Sequence, residues 1–208
     1  MEAFALIIAV IFAHAIALIS PGPDFFMTVK QSMTYSRKTG TYTAFGIGLG
    51  ILVHVTYCAL GLAIIVTKSI LLFNLIKLLG AAYLIFIGIK SFMSKDEKFN
   101  ISSAKKKKDI SRFEAVKIGF LTNALNPKAT VYFLSLFTFI ISPETPVLLI
   151  VLLAAIMVFE TIAWFSLVAF FLTQTPIREK YQSMQGIINK MFGGILVALG
   201  IKIAISKE

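Results

Sequence analysis

Charged residues are scarce in this sequence, and long stretches of it contain none. Only 14% of the 208 residues are charged, whereas 58% are hydrophobic, and a soluble domain carries about 25% charged residues. Residues 3–23 and 39–67 contain no Asp, Glu, Lys or Arg. Because a membrane span needs about 20 mostly apolar residues, these runs exclude an ordinary soluble domain and predict an integral membrane protein in the lipid bilayer.

Cysteine is nearly absent, and the sequence has no catalytic or metal-binding cluster. Cys58 is the only cysteine, which excludes an intrachain disulfide, a CxxC redox pair and a cysteine-based zinc site. Nothing resembles a nucleophile with its base, a set of metal ligands or a phosphate-binding loop. We therefore expect a protein that is not an enzyme and that holds neither a metal nor a cofactor.

Acidic residues are few, with 10 Asp and Glu against 20 Lys and Arg. A basic balance can indicate nucleic-acid binding, but here the basic residues fall in particular loops between apolar runs. Residues 94–117 carry eight of them, and residues 25–38 and 174–190 carry three each. Since cytoplasmic loops retain Lys and Arg, we predict a multi-pass protein with both termini outside, a cytoplasmic loop over 94–112 and no nucleic-acid partner.

Six segments are predicted to cross the membrane. They are residues 3–36, 41–66, 70–93, 113–141, 146–173 and 187–206, with a polar connection over 174–186. The first and fourth segments contain proline, at Pro21 and Pro23 in one and at Pro127 in the other. Because proline lacks an N–H and clashes with the preceding turn, each of these two helices is predicted to break and restart.

The two halves of the chain resemble each other in spacing. Gly88-Ile89-Lys90 recurs as Gly200-Ile201-Lys202 near the end of the last segment, and Pro21 and Pro127 lie at a similar offset. Each half then has three spans with a break in its first, and three is odd, so the halves must have opposite orientations. Inverted repeats with paired broken helices are typical of secondary transporters. Chance similarity between apolar helices is the alternative.

The predicted fold class is thus an all-α integral membrane protein. It has six transmembrane helices arranged as two inverted three-helix repeats, with broken first and fourth helices. The first repeat covers residues 1–93, the basic cytoplasmic loop covers 94–112, and the second repeat covers 113–208.

Each break is predicted to expose the N-terminus of a half-helix. Ser20 and Asn126 are expected to cap these half-helices, with Pro21 and Pro127 at the first helical position, because Ser and Asn are favoured caps and proline is favoured just inside a helix. Such an end presents N–H groups and a partial positive charge. Each break is therefore suited to bind a carboxylate.

A full charge of each sign accompanies the breaks. Asp24 follows the first break, and Lys128 follows the second. A zwitterion with a carboxylate and an ammonium would match this pair, and an amino acid is the smallest obvious candidate. The alternative is that the two residues neutralise each other across the repeat interface.

Ionisable residues near the middle of the predicted spans are candidates for proton coupling. His54 and Glu160 each fall near the middle of the second span of their half, and Asp24 is the third candidate. A charged Glu160 would be costly in hydrocarbon, so we expect it to be buried in the bundle, paired or protonated. For His54 the alternative is a hydrogen bond between helices, and His14 is assigned to packing.

Four motifs are specific enough to compare with known families. They are Ser20-Pro21-Gly22-Pro23-Asp24, Gly46-x-Gly48-x-Gly50, Leu79-Gly80-Ala81-Ala82-Tyr83-Leu84 and Gly119-Phe120-x-x-Asn123-x-x-Asn126-Pro127-Lys128. Together they resemble the lysine exporter superfamily, and more closely its homoserine/threonine exporter branch, along nearly the whole chain. The resemblance implies a bacterial inner-membrane protein that exports amino acids and is energised by the proton gradient.

The candidate site follows from the breaks and the resemblance together. The candidate substrate-binding residues are Asp24, Ser20, Gly22, Asn123, Asn126 and Lys128, and the helix-breaking residues are Pro21, Pro23 and Pro127. Two other functions remain open, a membrane scaffold or channel that moves no solute and an exporter of inorganic cations. Gly46 and Gly50 allow close approach of another helix, either within the chain or in a homodimer.

Overall fold

The described part of the chain is helical throughout. A computed structural model describes residues 2–93, 107–140, 145–171 and 173–205, and over these it contains eight helices and no strand. The helices are α1 (Glu2–Ile19), α2 (Pro23–Thr34), α3 (Arg37–Lys68), α4 (Ile70–Phe92), α5 (Arg112–Ala124), α6 (Pro127–Ile140), α7 (Val147–Phe171) and α8 (Thr175–Ile205). Residues 94–106, most of the predicted basic loop, lie outside the described residues.

Several of these helices are long and apolar enough to cross a membrane. Within the described ranges, three segments meet both criteria: Arg37–Gly61, Asn74–Phe92 and Val147–Phe171. α1 and α2 form a fourth candidate as one broken span, bent by 55°. The prediction of an all-helical membrane protein is confirmed, with three or four candidate spans by length and composition, and the count of six stays a prediction.

Both predicted interruptions are breaks between helices, but the predicted cap of the first is wrong. The N-cap of α2 is Gly22, with extended backbone at φ −172° and ψ −173°, and α2 begins at Pro23. The residue before a proline is disfavoured in the helical region. Pro23 therefore keeps Gly22 out of the helix, and no helix can start at Pro21 behind a cap at Ser20.

The predicted polar connection over 174–186 is also wrong, because α8 begins at Thr175 and runs without interruption to Ile205. Pro176 lies in its first turn, where the missing N–H costs no hydrogen bond. Several of the residues that follow, such as Glu179 and Lys180, favour helices intrinsically. The predicted sixth span is thus the second part of a longer helix.

Glycines allow α3 to pack closely against its neighbours. A Cβ added at Gly46 would meet the backbone oxygen of Val116 on α5, and one added at Gly50 would lie 2.7 Å from Oδ1 of Asn123. The predicted close approach at these glycines is therefore confirmed within the chain. A homodimer would need a surface other than this one, which α5 occupies.

The basic connections meet at one end of the bundle. The backbone N–H of Lys107 donates to the carbonyl of Thr34 at 2.8 Å, which places the residues before α5 against the end of α2. Nε of Arg37 donates to Oγ1 of Thr173 at 2.9 Å, which places the residues before α8 at the same end. The charge distribution predicted this shared end.

Candidate functional site

The two helix breaks meet at one pocket, and all six candidate substrate-binding residues line it. These are Ser20, Gly22 and Asp24 from the first break and Asn123, Asn126 and Lys128 from the second. The space open to the centre of a water molecule is about 60 Å³. Since one water needs roughly 10–15 Å³ on this measure, the pocket has room for several water molecules or one small solute.

Asp24 lies in the first turn of α2 and is held across the pocket by α5 and by the residue preceding α6. Its Oδ2 accepts hydrogen bonds from Nδ2 of Asn123 at 2.9 Å and from Nδ2 of Asn126 at 3.1 Å. Its Oδ1 is buried and accepts no hydrogen bond from any described residue. The two amides thus fix the carboxylate and leave one oxygen able to receive a donor.

Lys128 reaches back from α6 to the end of α1. Its Nζ donates to Oγ of Ser20 at 3.0 Å, to the carbonyl of Ser20 at 3.3 Å and to that of Pro21 at 3.4 Å. The last carbonyls of a helix lack intrahelical partners and attract cations. Ser20 is therefore a partner of Lys128, which explains its place in the motif better than the predicted cap does.

Gly22 leaves room for the lysine ammonium. A Cβ built on Gly22 would lie 3.3 Å from Nζ of Lys128 and 3.4 Å from its Cδ, closer than side chains usually approach. Its backbone is extended, which any residue adopts. The requirement for glycine here is consequently space for Lys128 rather than backbone freedom.

Asn126 serves both breaks at once. Its Oδ1 accepts a hydrogen bond from the backbone N–H of Lys128 at 3.0 Å, which is the cap predicted for α6. Its Nδ2 donates to Asp24. An aspartate could supply the cap, but an ionised carboxylate has no donor, whereas the Asn126 amide can cap α6 and hold the Asp24 carboxylate at once.

His54 contacts the site through the backbone of Asn123. Its Nε2 donates to the Asn123 carbonyl at 2.9 Å, so the other nitrogen of the neutral ring accepts from the Tyr57 hydroxyl at 2.7 Å. The ring stacks on Phe133 at 5.3 Å between centroids. This is the hydrogen bond between helices that was the alternative for His54, and its role in proton coupling stays a prediction.

Besides its apolar lining, the pocket has three residues that were not predicted as site residues, namely His14, Tyr83 and Tyr132. Tyr132 follows Lys128 by one turn of α6 and therefore shares its face, but only the structure shows that this face lines the pocket. His14 had been assigned to packing, yet it lines the pocket and its Nε2 lies 3.0 Å from Oγ1 of Thr161. Glu160 is not among the residues that line the pocket.

Comparison with known proteins agrees with the predicted resemblance. The family model described as LysE type translocator matches residues 15–207. The threonine efflux protein of Escherichia coli (strain K12) is 30% identical over 203 residues, covering 97% of this chain and 98% of that protein. An uncharacterized membrane protein of Bacillus subtilis (strain 168), YrhP, is 30% identical over 202 residues, covering 92% of this chain and 95% of that protein. No solved structure matches the chain.

The family match covers nearly the whole length of the chain. It places the protein among transporters rather than enzymes, as the sequence predicted. The protein is a member of the LysE type translocator family.

Proposed function

We propose that the protein is a secondary transporter that exports amino acids or close derivatives across the bacterial inner membrane, driven by the proton gradient. The observation that carries this proposal is the meeting of Asp24 and Lys128, from two separate helix breaks, at one pocket. Membership in a translocator family supports it, as do relatives named threonine efflux protein along nearly the full length of the chain.

The site offers complementary groups to a zwitterion. Oδ1 of Asp24 has no partner among the described residues and can accept a hydrogen bond from a substrate ammonium. Lys128 lies beside the N-terminus of α2, which no side chain caps, so a substrate carboxylate would meet positive charge there. An inorganic cation would need several converging oxygen or imidazole ligands, and no group of three such acidic, His or Cys side chains occurs in the described structure.

The rest of the pocket favours a small neutral amino acid. Most of the other lining residues are apolar, namely Ala17, Leu18, Phe25, Ile51, Leu84, Ala129, Phe133, Phe165 and Leu196. Asp24 is the only acidic residue among the residues that line the pocket. A second positive charge on a substrate would therefore find no second carboxylate to pair with. Threonine, the solute in the name of several relatives, meets both conditions of size and charge.

An arrangement of two inverted three-helix repeats is part of the proposal, and the contact between α4 and α8 supports it. The offset that aligns Gly88 with Gly200 also aligns Ala81 with Gly193. If the two halves are equivalent, each residue can be replaced by its counterpart in the other half. The contact of Gly88 with Gly193 then corresponds to a contact of Gly200 with Ala81. Added Cβ atoms at Gly88 and Gly200 would lie 2.7 Å from the Gly193 carbonyl oxygen and 2.8 Å from that of Ala81, respectively.

The proposed orientation has both termini outside and residues 94–112 in the cytoplasm. Reporter fusions at residue 100 and at the C-terminus are expected to report opposite sides, because three spans separate them in this topology. Fusions that place both positions in the cytoplasm would contradict the inverted repeats.

Export is tested directly by efflux from cells preloaded with a panel of labelled amino acids that includes threonine. Cells that express the protein should release at least one of them several-fold faster than cells with an empty vector. Dissipating the proton gradient should remove this difference. No stimulated efflux of any amino acid, from protein shown to be inserted in the membrane, would favour a scaffold or channel.

A further inference from the structure

A second group of polar side chains lies beside the pocket, where α1, α6 and α7 approach each other. Three polar atoms here are buried and make no hydrogen bond with the described residues. They are Oη of Tyr132, Oε2 of Glu160 and Nε1 of Trp164. The Glu160 carboxyl lies within electrostatic reach of the Tyr132 hydroxyl. Buried polar atoms are nearly always paired, so these unpaired atoms require an explanation other than ordinary apolar packing.

This group is continuous with the substrate pocket. His14 and Tyr132 both line the pocket, and their ring centroids are 5.9 Å apart. His14 also contacts α7, because its Nε2 lies 3.0 Å from Oγ1 of Thr161, the residue that follows Glu160. His14 therefore links the interior of the pocket to α7 at the residue next to Glu160.

The other ionisable groups near this region are held by partners of their own. On α2, Oδ2 of Asp24 accepts from two asparagine amides. On α3, His54 has a hydrogen bond at each ring nitrogen, one of them to Tyr57. The free Oδ1 of Asp24 is assigned above to the substrate ammonium, and His54 is held at both nitrogens, whereas one carboxyl oxygen of Glu160 and the Tyr132 hydroxyl have neither a described partner nor a proposed role in substrate binding.

We propose that Glu160 carries the coupling proton and that Tyr132 and His14 connect it to the substrate pocket. The inference rests on the proposed export driven by the proton gradient. The Glu160 carboxylate takes up one proton to become a neutral acid, and it returns that proton when the site opens to the opposite side. A charged carboxylate is costly within a membrane, so the protonation state of Glu160 depends on which side admits water.

The coupling has a short physical path. Tyr132 is one helical turn from Lys128 on α6, and the two side chains share a face. A change of charge at Glu160 alters the electrostatic environment of the Tyr132 hydroxyl. Tyr132 belongs to α6, the helix that holds Lys128 against Ser20. Substrate release and proton uptake are thereby linked through α6.

The test separates coupling from substrate handling in vesicles that contain the purified protein. Two rates are measured for the labelled amino acid that gives the fastest efflux in the panel above. One is transport driven by an imposed pH gradient, and the other is exchange of labelled for unlabelled substrate without a gradient. Glu160→Gln should lower the gradient-driven rate at least tenfold and keep exchange within about twofold of the unmodified protein.

Two further variants accompany this test. Tyr132→Phe removes only the hydroxyl and should lower the gradient-driven rate less than Glu160→Gln does. Glu114→Gln is the matched control, since Glu114 is an exposed residue in the first turn of α5, and it should keep both rates.

Three outcomes would overturn the inference. Gradient-driven transport that survives in Glu160→Gln would exclude Glu160 as the carrier. Loss of exchange together with gradient-driven transport in both Glu160→Gln and Tyr132→Phe would place these residues in substrate handling instead. An unmodified protein that exchanges substrate but ignores the gradient would refute the proposed proton drive, and this inference with it, while export itself would stand.

Discussion

Replacing Asp24 by Asn is expected to lower amino-acid export at least about tenfold. Asn keeps the size of the side chain and removes its charge, so the substrate ammonium loses a charge-assisted hydrogen bond worth roughly 1.5–3 kcal/mol. Membrane insertion and abundance should change little, because a neutral amide is less costly than a carboxylate in the membrane. Initial efflux rates, divided by the amount of protein in the membrane fraction, measure this effect.

Lys128→Met tests the opposite end of the pocket in the same assay. Met retains an unbranched apolar stem and removes the ammonium that donates to Ser20 and Pro21. Export should fall by a similar factor, because the substrate carboxylate loses its positive partner. Unchanged export in either single variant would contradict a direct role of that residue in binding the substrate.

Gly46→Ala is expected to prevent normal folding rather than to alter transport selectively. The added Cβ would meet the backbone oxygen of Val116 and would lie 2.8 Å from the backbone nitrogen of Phe120. Backbone atoms of a helix cannot move aside as the end of a side chain can, so α3 and α5 must separate. Overpacking typically costs about 1–3 kcal/mol and sometimes more, and the apparent Tm in detergent should drop together with abundance.

The matched control for this substitution is Gly61→Ala on the same helix. No described atom of another element lies within 4 Å of a Cβ built at Gly61. Alanine also favours helix over glycine by about 1 kcal/mol, so abundance and Tm should stay the same or rise. An equal loss in the two variants would show that the contact between α3 and α5 is not the cause.

The broken helices could be predicted from sequence because proline leaves few structural choices. Pro127 with Asn126 before it gave the correct start of α6 and the correct cap. The first break has two prolines. Pro23 keeps the residue before it, Gly22, out of the helical region, and α2 therefore starts two residues later than predicted. The charges beside the two breaks likewise singled out Asp24 and Lys128, which both line the pocket, and their role in binding substrate stays a prediction.

Residues whose role depends on helix rotation were beyond the reach of sequence. Tyr132 is one aromatic residue among many in apolar helices, and only its position at the pocket distinguishes it. His14 was assigned to packing because it has no counterpart in the other half of the chain. The continuous α8 is not predicted for another reason: polarity over 174–186 favours a connection between spans, although those residues form helix readily.

The double variant Asp24→Asn with Lys128→Met tests the central claim most directly. If the two residues only neutralise each other, each single change leaves an unpaired buried charge, and the double variant should recover both abundance and export. If they bind the two charged ends of an amino acid, the double variant should be abundant and should still export at least about tenfold more slowly than the unmodified protein. Full export by the double variant would contradict the proposed role of Asp24 and Lys128 in binding the substrate.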